Sequence, residues 1–168
     1  RDSSKTWARR AGLTFPGHTE FLADAFAVPQ VTMMFAGPRM RVALATVHVP
    51  LAQVATTLTA ASLLVTIRQL AASLRDDHGI AAPRVGVVGL NPHAGEGGLL
   101  GGDEARLVAP AIAAARAEGI DASGPLVPDA AFRDHLGGAT DGLVALYHDQ
   151  GLIPVKLIDF DAAVNVTL

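Results

Sequence analysis

From about residue 30 onward, short runs rich in Val, Ile and Leu alternate with alanine-rich stretches in which apolar residues recur every three or four positions. That alternation is the pattern of a mainly α/β domain. Candidate strands are Gln30 to Phe35, Met40 to Val47, Arg84 to Leu90, Gly142 to Tyr147 and Leu152 to Leu157. Their near-continuous apolar character predicts burial on both faces of a sheet. Between them, Leu63, Ile67, Leu70 and Leu74 fall at helical spacing, and this helix is expected to stop near His78 and Gly79. A second helix carries Leu107, Val108, Ile112 and Ala115, with Gly119 suited to the left-handed turn after its end. The segments Val31 to Phe35 and Arg41 to Val47 are separated by Ala36-Gly37-Pro38-Arg39, which reads as a tight turn and so as a hairpin. The expected sheet is therefore mixed, largely parallel and flanked by helices.

With 168 residues, half of them hydrophobic, the chain can bury one sizeable core and reads most simply as a single compact domain. Charged residues make up only 17% and the net charge is −3, so no basic field favours nucleic acid or an anionic membrane. Small molecules or another protein are the expected partners. The absence of cysteine removes disulfide and thiolate chemistry and leaves histidine and carboxylate as ligands for a transition metal. Mean hydropathy is positive, yet no apolar run reaches the uninterrupted length of a membrane span. Arg1 to Arg10 is charged and lacks the apolar core of a signal peptide, which makes the cytoplasm the expected location.

Three of the six histidines share one context, each at or just beyond the end of a predicted strand. His48 closes Arg41 to Val47, His93 follows Val87-Val88-Gly89-Leu90-Asn91-Pro92, and His148 follows Leu143 to Tyr147. In open α/β sheets, ligands gather at the carboxyl ends of strands. Three imidazoles at that edge would coordinate a divalent cation and leave positions open for substrate. The plainer reading is that each histidine bonds a nearby backbone group. Strand spacing alone leaves both open.

The glycine-rich stretch Asn91 to Gly102 follows a strand and enters a helix at Asp103-Glu104. It fits neither GxGxxG nor the lysine-containing phosphate loop, so it reads either as a turn or as a loop that lets a ligand approach the backbone. At Gly17-His18-Thr19-Glu20, Thr19 is placed to cap a helix beginning near Phe21, and His18 beside that amino terminus is a candidate to hold a phosphate or carboxylate. Lys156 interrupts an apolar run, either as a solvated edge position or as the partner of an anionic substrate. His78 and His135 sit among charged residues and read as surface positions.

Taken together, GHTEF (17 to 21), RVALATVHVPL (41 to 51), GLNPHAGEGG (89 to 98), GPL (124 to 126), YHDQGLIPVK (147 to 156) and VNVTL (164 to 168) resemble the 4-hydroxythreonine-4-phosphate dehydrogenase family over nearly the whole chain. The resemblance implies an architecture similar to the isocitrate and isopropylmalate dehydrogenases, in a homodimer whose active site draws on both subunits. It implies that His48, His93 and His148 are the metal ligands and that His18, Thr19, Lys156 and Asn165 contact substrate. It also implies NAD, or NADP, as cofactor, together with a divalent metal: zinc, manganese, cobalt, nickel or magnesium. The family oxidises the secondary hydroxyl of 4-phosphooxy-L-threonine, and the product loses carbon dioxide to give 3-amino-2-oxopropyl phosphate in vitamin B6 synthesis. Asp149 is the candidate for orienting or deprotonating that hydroxyl, and equally a partner that orients metal-bound His148.

Relative to the family, residues 1 to 168 correspond to the central metal- and substrate-binding portion of a two-domain dehydrogenase. Segments are expected on either side, including a Gly-Leu-Pro segment and a substrate-binding arginine beyond VNVTL. NAD has no fingerprint here, and the 168-residue chain alone is expected to turn over little or nothing. Two alternatives remain at this stage: a dehydrogenase of D-threonate or D-erythronate 4-phosphate, and a non-catalytic fragment that binds metal and dimerises.

Overall fold

The computed structural model describes residues 30 to 168. Its strands are β1 (Met33–Ala36), β2 (Arg41–Leu44), β3 (Arg84–Val88), β4 (Asp121–Leu126), β5 (Gly142–Ala145) and β6 (Val164–Thr167). They form one sheet in the order β4-β3-β5-β2-β1-β6. Neighbours from β4 through β2 are parallel, whereas β1 and β2 form the antiparallel hairpin that the turn residues predict. Thr32 and Leu168 exchange both backbone hydrogen bonds, at 3.1 and 2.8 Å, so β6 runs antiparallel to β1 and hence parallel to β2. The sheet is mixed and largely parallel, as the alternation of elements implies.

The helices are the single turn α1 (Val54–Thr57), then α2 (Ala60–Asp76), α3 (Ala109–Ala117), α4 (Pro128–Leu136) and α5 (His148–Asp159). Thr59 caps α2 through its hydroxyl, which accepts from the Ser62 amide at 3.0 Å, and Ser62 returns the bond to the Thr59 amide. The helix ends before Gly79, whose φ of 69° is costly for other residues. One face of the sheet packs Val85, Val87 and Val144 beneath Leu63, Ile67, Leu70 and Leu74 of α2 and Ile112 of α3. The other packs Val42, Leu44, Leu143 and Ala145 against Ala131 of α4 and Leu152 and Val155 of α5. Both faces are buried, as the continuous apolar strands require. No single helix among the described residues is long and apolar enough to cross a membrane.

Leu152 to Leu157 is helix, not strand. Every position in that run except Pro154 and Lys156 is a large apolar residue, which masks the helical period. Burial reveals it: Leu152, Val155 and Asp159 face inward, while Ile153, Leu157 and Phe160 are exposed. Strands β4 and β6 and helices α1 and α4 are absent from the elements that the hydrophobic pattern predicts. Strand β4 contains Gly124-Pro125 and pairs only with β3, an edge position where a missing N–H is tolerated. Helix α4 is short, mixes polar with apolar residues and buries only Ala131 and His135. His135 is therefore not a surface residue: it is 5% exposed, and its Nδ1 lies 2.8 Å from the Thr140 hydroxyl. Burial, and next the nearby Arg41 charge, hold its pKa below the ordinary imidazole value.

Candidate functional site

Three adjacent parallel strands, β3, β5 and β2, end at one edge of the sheet, and each leads into one of the three histidines. The sequence order of the strands hides this adjacency. His48 follows β2, and His148 opens α5 directly after β5 and its N-cap Tyr147. Their ring centroids lie 6.1 Å apart with the planes inclined by 36°. Helix α5 can bring His148 so close to the sheet because Gly151 has no side chain; a Cβ there would stand 2.6 Å from Leu44 Cδ2 and 3.0 Å from both Ala145 Cβ and Val42 Cγ1. The Asp149 carboxylate lies 2.7 Å from His148 Nδ1, which leaves Nε2 as the ring nitrogen available to another group.

His93 takes a different course. It lies in the turn Pro92–Gly98, where His93, Ala94, Gly95, Glu96 and Gly97 all have positive φ, at 50°, 52°, 78°, 44° and 66°. Three of these are not glycine and so are held in a sparsely populated conformation by their surroundings. Ala94 folds back over Gly89, where a Cβ would stand 2.9 Å from Ala94 Cα. The His93 side chain is 65% exposed, with Nδ1 3.7 Å from Glu96 Oε2. Among the described residues, no three histidine or carboxylate groups of one chain gather to hold a metal. The structure thus brings His48 and His148 together and leaves His93 apart from them.

The donor set can be tested against a metal's requirements. Two imidazoles bound to one tetrahedral ion at about 2.0 to 2.1 Å have ring centres about 5 Å apart. The observed pair is only slightly wider. Its exposure leaves room for further ligands, and Asp149 against His148 reproduces the carboxylate partner that metal-bound histidines commonly have. Two of the three positions therefore suit a divalent ion.

The other sequence-derived candidates are dispersed. Lys156 is exposed on α5 about two turns beyond His148, on the order of 12 Å along the helix axis. Asn165 is exposed on β6; counting from the Thr32–Leu168 pair puts it level with Phe35, away from the strand ends that carry the histidines. His18 and Thr19 lie outside the described residues.

Sequence reasoning assigned no role to Thr46, Gln150 or Glu104, all of which are at least nine-tenths buried at this edge. Glu104 accepts the Leu90 and Asn91 amides at 2.9 and 2.7 Å and the Asn91 side chain at 3.1 Å, holding the base of the His93 turn. The available signal was position: polar residues beside strand ends whose backbone groups still need partners.

The model of the pyridoxal phosphate biosynthetic protein PdxA family matches residues 3–168. The 4-hydroxythreonine-4-phosphate dehydrogenase of Geobacter metallireducens is 52% identical over 167 residues, an alignment covering 98% of this chain and 48% of the relative. That of Desulforapulum autotrophicum is 47% identical over 165 residues, with the same shares covered. Among solved structures, the Klebsiella pneumoniae 4-hydroxythreonine-4-phosphate dehydrogenase superposes with a TM-score of 0.89 at 41% identity, covering 98% of this chain and 49% of that one. A terephthalate 1,2-cis-dihydrodiol dehydrogenase from Burkholderia xenovorans gives 0.83 at 30% identity, covering 98% of this chain and 58% of that one. The chain spans about half the length of the curated relatives it matches. A family match over nearly every residue, with a fold shared with solved members, means that the chain belongs to the PdxA family of pyridoxal phosphate biosynthetic proteins.

Proposed function

We propose that this chain is the metal- and substrate-binding part of an NAD-linked 4-hydroxythreonine-4-phosphate dehydrogenase. The observation that carries this reading is the His48–His148 pair, backed by Asp149, at the carboxyl edge of a parallel sheet in a chain of this family. The reaction oxidises the secondary hydroxyl of 4-phosphooxy-L-threonine at the expense of NAD, and loss of carbon dioxide from the resulting β-keto acid leaves 3-amino-2-oxopropyl phosphate. A divalent ion held by imidazoles supplies stabilisation of the negative charge that develops on the substrate oxygen.

His48 and His148 hold that ion from one chain, and His93 completes the set from a second copy in a homodimer with a shared site. The separation of His93 from the other two within one chain, together with its exposure, supports this division. Asp149 orients His148 through Nδ1 and keeps Nε2 directed to the ion. Lys156, His18 and Thr19 meet the phosphate and carboxylate by charge and hydrogen bonds. The nucleotide site belongs to the part of the relatives' length that this chain does not span, and the working location is the cytoplasm.

A second reading is favoured by the likeness to the cis-dihydrodiol dehydrogenase, because two solved proteins named for unlike substrates share this half. Substrate identity is then settled by turnover. The protein at family length would be assayed with NAD and NADP, a divalent metal, and four substrates: 4-phosphooxy-L-threonine, D-threonate 4-phosphate, D-erythronate 4-phosphate and a carboxylated aromatic cis-dihydrodiol. Preference for the first is expected; preference for another reassigns the substrate, and inactivity on all four rejects the dehydrogenase reading.

A further inference from the structure

Buried polar side chains link the three histidine-bearing strand ends in series. The Thr46 hydroxyl, two residues before His48, donates to the Leu146 carbonyl at 2.7 Å. The Leu146 amide, two residues before His148, donates to Gln150 Oε1 at 2.7 Å. Gln150 Nε2 then donates to the Gly89 carbonyl at 2.8 Å, crossing to the end of β3. The next two amides, Leu90 and Asn91, are taken by Glu104 at the base of the His93 turn. Thr46, Gln150 and Glu104 are 7%, 9% and 5% exposed.

We propose that Thr46 and Gln150 are positioning residues: a hydrogen-bonded brace that fixes the His48 and His148 corners against each other and against the base of the same chain's His93 turn, and so the geometry of what each copy contributes to the metal centres. Each bonded backbone group lies two to four residues from a histidine. Each also lies past the last paired residue of its strand. The bonds are short, buried and mutually connected, so displacing one corner strains the others. A purely structural role, satisfying strand-end backbone groups, would change stability alone; a positioning role also changes the ion's surroundings. The inference rests on the metal reading proposed above.

The test uses the full-length protein loaded with cobalt(II), whose visible absorption bands report coordination geometry independently of turnover. Affinity would be measured by competition with a chelator, and folding by thermal melting. Thr46→Val keeps the side-chain volume and removes the hydroxyl, Thr46→Ser restores it, and Gln150→Met breaks the link between the other two corners. The expected result is a shifted cobalt spectrum and about tenfold weaker binding for Thr46→Val and Gln150→Met, the lower end of the effect of partners around metal ligands. Thr46→Ser should match wild type. Unchanged spectra and affinity in the two disrupting variants would overturn the brace while leaving the metal reading intact. A Thr46→Ser variant as impaired as Thr46→Val would also overturn it, by showing that bulk rather than the hydroxyl matters. Failure of the wild-type protein to bind cobalt would reject the metal reading and the brace together.

Discussion

The His148 imidazole and the Asp149 carboxylate lie 2.7 Å apart, Nδ1 to Oδ1, at the first turn of the helix that follows β5. With Nδ1 engaged, Nε2 is the ring nitrogen left for a cation, and the carboxylate holds the ring in one orientation. Asp149→Asn in the full-length protein should therefore weaken zinc or cobalt binding about tenfold or more. Calorimetric titration of the metal measures this, and an unchanged affinity would remove Asp149 from that role.

Gly151 sets how closely the same helix approaches the sheet. A methyl group there would overlap Leu44, Ala145 and Val42, all core residues. Gly151→Ala should cost about 1 to 3 kcal/mol of unfolding free energy by overpacking. Urea denaturation checks the value, and a stability equal to wild type would show that α5 is free to shift outward.

His135 makes stability depend on pH. Its folded pKa lies below the ordinary 6.5 because burial, and next the Arg41 charge, disfavour the cation. As pH falls below that ordinary value, the unfolded chain takes up a proton that the folded chain refuses, so stability is retained above the window and lost within it. Between about pH 8 and about pH 5.5, wild type should lose more stability than His135→Asn, whose amide still reaches toward Thr140. Denaturation midpoints at several pH values decide it; parallel profiles would exclude His135 as the cause.

Lys156 is exposed and contributes little to the core. Lys156→Ala should leave stability within about 0.5 kcal/mol. If Lys156 meets the substrate phosphate, binding should weaken by about 1.5 to 3 kcal/mol. A KM and kcat both equal to wild type would place Lys156 outside the site.

How far the sequence carries the reader depends on whether the relevant period is visible. In α2, Leu63, Ile67, Leu70 and Leu74 keep the helical spacing over three turns, with Thr66, Arg68, Gln69 and Ser73 breaking the apolar run, whereas in α5 apolar residues fill both faces and hide the turn. Strand β4 is concealed by Gly124 and Pro125, which only an edge position accommodates. The strand-end context of His48, His93 and His148 is legible; the adjacency of β3, β5 and β2 is not, because it comes from crossovers. Nor does the sequence show that Ala94 and Glu96 adopt positive φ and carry His93 away from the other two. That conformation depends on Glu104 and Gly89, contacts made only after folding.

The shared metal centre can be tested by mixing two variants of the full-length protein, His93→Ala and His148→Ala, after dissociation and reassociation. If His48 and His148 act from one copy and His93 from the other, each mixed dimer regains one intact site. Random pairing in a two-fold dimer then restores about a quarter of wild-type metal sites and of dehydrogenase activity, with neither variant active alone. No restoration above the separate variants, with mixed dimers demonstrated by mass, would contradict a site divided in this way between two copies.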